Sequence, residues 1–185
     1  MKKIISLFQR NYDGDRLVRD EVVPGAEWVQ AGEGWATQKH DGTCCMIRGG
    51  RLFKRYEVKP GGKPPADFEP ANDVDENTGK QQGWLPVGEG PEDARHREAF
   101  KGDEPDGTYE LCGPKVQGNP EGLDSHVLIP HGHTALLDAP RTYSELREYL
   151  AGGEIEGLVW HHLDGRMVKI KAKDFGIKRR VRVMG

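Results

Sequence analysis

A chain of 185 residues with 27 Lys and Arg against 30 Asp and Glu, net charge −3, has the size of one domain with at most a small appendage. Hydrophobic residues make up 35% and charged residues 31%, which leaves a modest core under a heavily charged surface and excludes a simple polycation. The 25 glycines and 12 prolines amount to one residue in five, against roughly one in eight in an average chain, and favour short strands and many loops over long helices. Charge is unevenly placed. Residues 166–185 carry +7 and residues 61–110 carry −8.

In chain order, 4–8 reads as a first, buried strand. Residues 43–47 and 51–59 read as two strands around Gly49-Gly50. Residues 60–91, rich in Pro, Gly and acids, read as a long loop, and the acidic run from Asp73 to Glu76 as solvated. A short helix is predicted over 92–100, and strands over 107–112 and 126–129. The clearest helix is 142–150: Thr142 and Glu145 have capping-box spacing, and Gly152-Gly153 stops it. Residues 155–162 and 166–171 form a closing hairpin. The result is an α+β chain with antiparallel sheets and segregated helices. Trp35, Trp84 and Trp160 are expected in the core.

Three cysteines, an odd count, argue against a disulfide scaffold. Cys44 and Cys45 are neighbours and would face opposite sides of a strand. The apolar run after Lys2-Lys3 is too short for a signal peptide, and no stretch reaches transmembrane length. A soluble cytoplasmic protein in a reducing compartment is expected, with monomer as the default and no membrane partner. His126, His131, His133, His161 and His162 do not combine with the cysteines in zinc spacing.

Five strings carry chemistry. Lys39-His40-Asp41-Gly42 enters an apolar strand, where a lysine made neutral by desolvation and nearby cations becomes a nucleophile. Gly42 would let the backbone approach a phosphate closely. Arg55, Glu57 and Lys59 share one strand face and suggest a polar network. Tyr109-Glu110-Leu111-Cys112-Gly113 places an acid on a strand that ends in glycine. Glu156-Gly157 enters the apolar Leu158-Val159-Trp160, where a carboxylate can hold a divalent cation. In Met167-Val168-Lys169-Ile170-Lys171 both ammonium groups project from one face. Taken singly, each string also fits a plain structural role: a solvated turn, an edge strand, a helix-to-strand turn.

Their order resembles the motif series of the covalent nucleotidyltransferases: ATP-dependent DNA ligases, RNA ligases and mRNA capping enzymes. The resemblance covers about residues 36–171. The fuller strings Lys39-His40-Asp41-Gly42-Thr43-Cys44-Cys45, Gly83-Trp84-Leu85-Pro86-Val87, the run from Asp106 to Pro120 and Glu156-Gly157-Leu158-Val159-Trp160-His161-His162 look like the small ATP-dependent 5′-to-3′ RNA ligase family. The implied fold is a minimal single-domain nucleotidyltransferase (ATP-grasp-like) core of antiparallel sheets flanked by helices. No C-terminal OB-fold or helical domain is expected, since only fourteen residues follow Lys171.

The resemblance also implies roles. Lys39 attacks the α-phosphate of ATP and carries AMP. Gln38 stands where many ligases read the adenine edge, frequently with glutamate. Arg55 contacts the nucleotide or a phosphate, and Glu110 the ribose. Glu156 binds Mg²⁺, for which Mn²⁺ can substitute. Lys169 and Lys171 neutralise the phosphates and help lower the Lys39 pKa. The partner is RNA with 5′-phosphate and 3′-hydroxyl ends. The basic tail, with Lys173, Lys178, Arg179, Arg180 and Arg182, is the candidate RNA grip. The competing readings are a capping-type GTP nucleotidyltransferase, a DNA ligase, and a nucleic-acid-binding module without catalysis.

Overall fold

Thirteen short strands, each with the period-two alternation of β structure, dominate the regular structure of the described residues. A computed structural model describes residues 4–179. The first stretch holds β1 (Ile5–Ser6), β2 (Phe8–Arg10), β3 (Val18–Val22), the one-turn helix α1 (Glu27–Gln30) and β4 (Trp35–Lys39). Next come β5 (Thr43–Arg48), β6 (Arg51–Val58), β7 (Glu69–Pro70), β8 (Gln81–Pro86), the short helix α2 (Ala94–Ala99), β9 (Gly107–Cys112) and β10 (Val127–Pro130). The chain continues through β11 (Ala135–Leu136), helix α3 (Tyr143–Ala151), β12 (Gly157–His161) and β13 (Met167–Lys171). The architecture is α+β, with mostly antiparallel sheets and few helices. No helix among the described residues is long and apolar enough to cross a membrane.

The chain divides into two compact units. Among the described residues, 41–131 form one, and 4–40 with 132–179 form the other. The first unit is built on a six-stranded antiparallel sheet in the order β10-β9-β5-β6-β8-β7. Gly49 and Gly50 make the expected β5–β6 turn, both at positive φ (57° and 67°), a conformation glycine adopts without steric cost. Cys45, Ile47, Leu52, Tyr109 and Leu111 form the core of this unit with Ala99 of α2 and Val116. Cys45 and Cys112 are buried and Cys44 is half-buried.

The expected loop over 60–91 is corrected here: its second half contains β8, which pairs with β6 from Gln81–Val58 to Pro86–Phe53. The punctuation that reads as loop is what lets the strands pack. A Cβ on Gly83 would stand 2.3 Å from the Phe68 ring and 2.4 Å from the Glu69 carbonyl of β7.

The second unit has a five-stranded sheet in the order β1-β13-β12-β4-β11 and a two-stranded β2–β3 ribbon. Its pairs are antiparallel except β1–β13, which is parallel and departs from the all-antiparallel expectation. Leu158, Trp160, Val168 and Ile170 face a core closed by Leu146 and Leu150 of α3. The predicted first strand breaks at Leu7: β1 pairs with β13 and β2 with β3. A continuous strand would send Leu7 and Phe8 to opposite faces. The break buries both fully and leaves Ile5 41% exposed. Helix α3 begins after Thr142, but the Thr142 hydroxyl donates to the Glu145 carboxylate at 2.6 Å and caps no backbone amide.

Candidate functional site

Strand β12 lies between β4 and β13, and its register decides which side chains meet. Gly157 is opposite both Lys39 and Lys171, Val159 opposite Thr37 and Lys169, and His161 opposite Trp35 and Met167. Residues directly opposite share a face. Lys39, Lys169 and Lys171 therefore stand on one face of the sheet, while Val168 and Ile170 enter the core as expected. Gln38 is opposite Leu158, which places it on the other face of β4 from Lys39. Gly157 is required by the pairing itself, because a Cβ there would sit 2.1 Å from the Ile170 carbonyl oxygen.

Lys39 ends β4, and its ammonium donates to the Glu156 carboxylate at 2.6 Å. The two side chains are 25% and 14% exposed. A loop residue and a strand end 117 positions apart are thus joined by a half-buried ion pair. The Glu156 carbonyl accepts the Ala172 N–H at 2.9 Å, which ties the segment before β12 to the end of β13.

Burial pushes Lys171 down to about 8, helped by Lys173 and Lys169 and opposed by Asp174. Asp174, 1% exposed, accepts the Lys171 N–H at 2.9 Å and a hydrogen bond from Arg10. In the sequence Asp174 enters only through the net charge of residues 166–185. Its spacing three residues after Lys171, at a strand end, was the available signal.

The Lys171 shift carries a test. The ordinary lysine value is 10.5. The unfolded chain therefore binds more protons than the folded one between about pH 8 and 10.5. The group's contribution is fully present above that window and is lost as pH falls through it. Relative to Lys171→Met, the wild type is expected to gain stability as pH rises from about 8 to about 10. Urea melts at both ends of the range measure this; parallel behaviour of the two proteins would refute it.

The unit of residues 41–131 holds the other two candidates. Glu110, on β9, accepts the Gly42 N–H at 3.1 Å and pairs with His131 Nε2 at 2.8 Å. Gly42 is glycine because its backbone abuts β9: a Cβ would lie 2.1 Å from the Leu111 carbonyl oxygen. Arg55, on β6, donates to Gln82 at 3.0 Å and lies 4.9 Å above the Trp84 ring. Gln82 bonds Glu57, and Glu57 pairs with Lys80 at 2.9 Å. The expected polar network thus runs through Gln82 and Lys80, residues of the region read as loop. Lys59 lies past the end of the strand.

Of the tail, Lys178 is exposed and Arg179 donates to the Glu154 carbonyl at 3.2 Å. Arg180 and Arg182 fall outside the described residues. Trp84 and Trp160 are core, 4% and 0% exposed, but Trp35 is not: it is 42% exposed and stacks on His161. It stands at the start of a strand, on the face opposite the core. Among the described residues, no group of three or more His, Cys, Asp or Glu is arranged to hold a metal. Glu156, paired with Lys39, offers a hard carboxylate oxygen on the lysine face. That fits Mg²⁺, which binds through one or two carboxylates and otherwise uses water and substrate phosphates.

A sequence model of the RNA ligase 1 family matches residues 102–183. The chain resembles RNA ligases. RNA ligase 1 of Pongo abelii is 38% identical over 79 residues, 38% of this chain and 24% of that protein. RNA ligase 1 of Danio rerio is 38% identical over 84 residues, 38% of this chain and 25% of the relative. RNA ligase 1 of Mus musculus is 24% identical over 222 residues, 77% of this chain and 67% of that protein. The chain thus spans about a quarter of the length of the first two curated relatives that it matches. The span matched by the RNA ligase 1 family contains Glu110, Glu156, Lys169 and Lys171; Lys39 and Arg55 precede it.

Proposed function

We propose that this chain is an ATP-dependent RNA ligase with a nucleotidyltransferase core, acting through AMP bound covalently to Lys39. The observation that carries the reading is the lysine face: Lys39, Lys169 and Lys171 share it, with Glu156 2.6 Å from the Lys39 ammonium. Nucleotidyl transfer asks a protein for positioning and charge neutralisation more than for covalent help beyond the nucleophile.

Lys39, once it has lost its proton, attacks the α-phosphorus of ATP. A P–N bond forms, the P–O bond to pyrophosphate breaks, and Lys39 carries AMP. The 5′-phosphate oxygen of RNA then attacks the same phosphorus and releases Lys39. Finally the RNA 3′-hydroxyl attacks the activated 5′-phosphorus, AMP leaves, and a phosphodiester remains. Lys169 and Lys171 oppose the negative charge that develops on the phosphate oxygens. Mg²⁺, when bound, would supply further charge neutralisation there, with Glu156 as its protein ligand. Arg55 and Glu110 retain the nucleotide contacts that the family resemblance gives them. Lys178, Arg179, Arg180 and Arg182 supply sequence-independent phosphate contacts to RNA.

The test is incubation with Mg²⁺ and either ATP or GTP labelled at the α-phosphate, followed by a denaturing gel. Label from ATP stays on the protein and label from GTP does not. Labelling by GTP alone makes the chain a capping-type enzyme. No label from either nucleotide makes it a binding module.

A further inference from the structure

We propose that Trp35 and His161 form a stacking platform for one unpaired nucleobase of the RNA strand being joined, an inference that rests on the ligase reading. Four observations support it. First, Trp28, Trp84 and Trp160 are 5%, 4% and 0% exposed, so Trp35 at 42% is the tryptophan that meets solvent. Second, its ring is nearly parallel to the His161 imidazole, 16° between planes and 5.6 Å between centroids. Third, the imidazole is fixed from below: His161 Nε2 is 2.9 Å from the hydroxyl of Thr37, a residue 1% exposed. A platform already locked loses little side-chain freedom when a base lands on it.

The fourth observation is position. Trp35 and Lys39 begin and end β4 on the same face, with Thr37 between them. Four residues of strand span about 13 Å, a few nucleotides of stacked chain at ~3.4 Å each. The lysines of this face offer RNA only charge, which grips phosphates and ignores bases. An exposed aromatic pair at the far end of the same strand offers what they lack. Leu137, 91% exposed, directly follows the Leu136–Ala36 pair of β11 and β4, in the turn that ends β11. Every base has a π-face, so such a platform tolerates any sequence but needs a base free of duplex stacking. The substrate class this selects is a single-stranded or frayed RNA end.

The experiment compares wild type, Trp35→Ala and Trp35→Phe in binding short 5′-phosphorylated single-stranded RNAs. One RNA is intact, and in each of the others a single nucleotide is abasic. Wild type should lose roughly 5- to 100-fold in affinity at one abasic position near the joined end. Trp35→Ala should lose a similar factor on intact RNA and nothing further at that position. Trp35→Phe should recover most of the binding. Adenylylation of Lys39 by ATP, read by intact mass, should run at the wild-type rate in both variants.

Unchanged affinity of Trp35→Ala for intact RNA overturns the platform, and so does an abasic penalty that survives the substitution. Loss of adenylylation in Trp35→Ala assigns Trp35 to the fold and overturns it as well. A wild type that is never adenylylated but shows the coupled abasic penalty overturns the ligase reading and upholds the platform. A wild type that binds no RNA overturns both.

Discussion

Lys39→Ala should carry no covalent AMP under conditions that load the wild type fully, a loss of roughly 10⁴-fold or more in rate, as expected when a nucleophile is removed. The reason lies in the lysine face. Lys39 is a side chain of β4 that is 25% exposed, with its backbone held against Gly157 of β12. Truncation leaves that strand pairing in place and removes only the amine. Lys39→Arg sharpens the result, because guanidinium keeps the charge facing Glu156 yet stays protonated and cannot attack phosphorus. Both variants should still bind ATP, and Lys39→Arg should bind it nearly as well as the wild type. Intact-protein mass spectrometry reads the adduct, and an adduct in either variant would move the nucleophile elsewhere.

Glu156→Ala should slow adenylylation by roughly 10²- to 10³-fold at saturating ATP and Mg²⁺, the range seen when one transition-state contact is deleted. Glu110→Ala should cost about tenfold, the value of a placement hydrogen bond. The two acids differ in what they hold. Glu156 faces the Lys39 ammonium at 2.6 Å, which in the proposed mechanism is where bonds change. Glu110 is occupied with the Gly42 amide and His131, a contact that shapes the backbone entering β5. Because Glu110→Ala also strands that amide, Glu110→Gln, which still accepts a hydrogen bond, should recover most of the rate. Glu156→Gln should not recover, since it lacks the charge. Single-turnover rates decide. Equal losses, or a larger loss at Glu110, would show that the two roles are exchanged.

Local chemistry was legible wherever it obeyed a short period. The alternation Val168-Lys169-Ile170-Lys171 announced a strand with two ammonium groups on one face, and β13 has that form. Gly49-Gly50 announced a hairpin turn, and Gly152-Gly153 the end of α3. These features follow from backbone geometry within a few residues. The region over 60–91 misled for the converse reason. Its glycines and prolines signal a local absence of structure, but β8 forms because a neighbouring strand pays out six partners along β6.

What the sequence determined by itself is the set of reactive side chains and the alternation that would turn some of them to a common face. What only the tertiary structure decided is the partnership among them. The Lys39–Glu156 pair joins positions 117 residues apart, and the Arg10–Asp174 pair positions 164 apart. Trp35 was expected in the core, as most tryptophans are, but its strand register turns it to the lysine face beside His161. A one-residue slip of β4 against β12 would exchange the faces, burying Lys39 and exposing Ala36. That register is set by the apolar contacts of Ala36, Leu158 and Trp160 with the rest of the core, contacts between residues distant in the chain, which no local window of sequence contains.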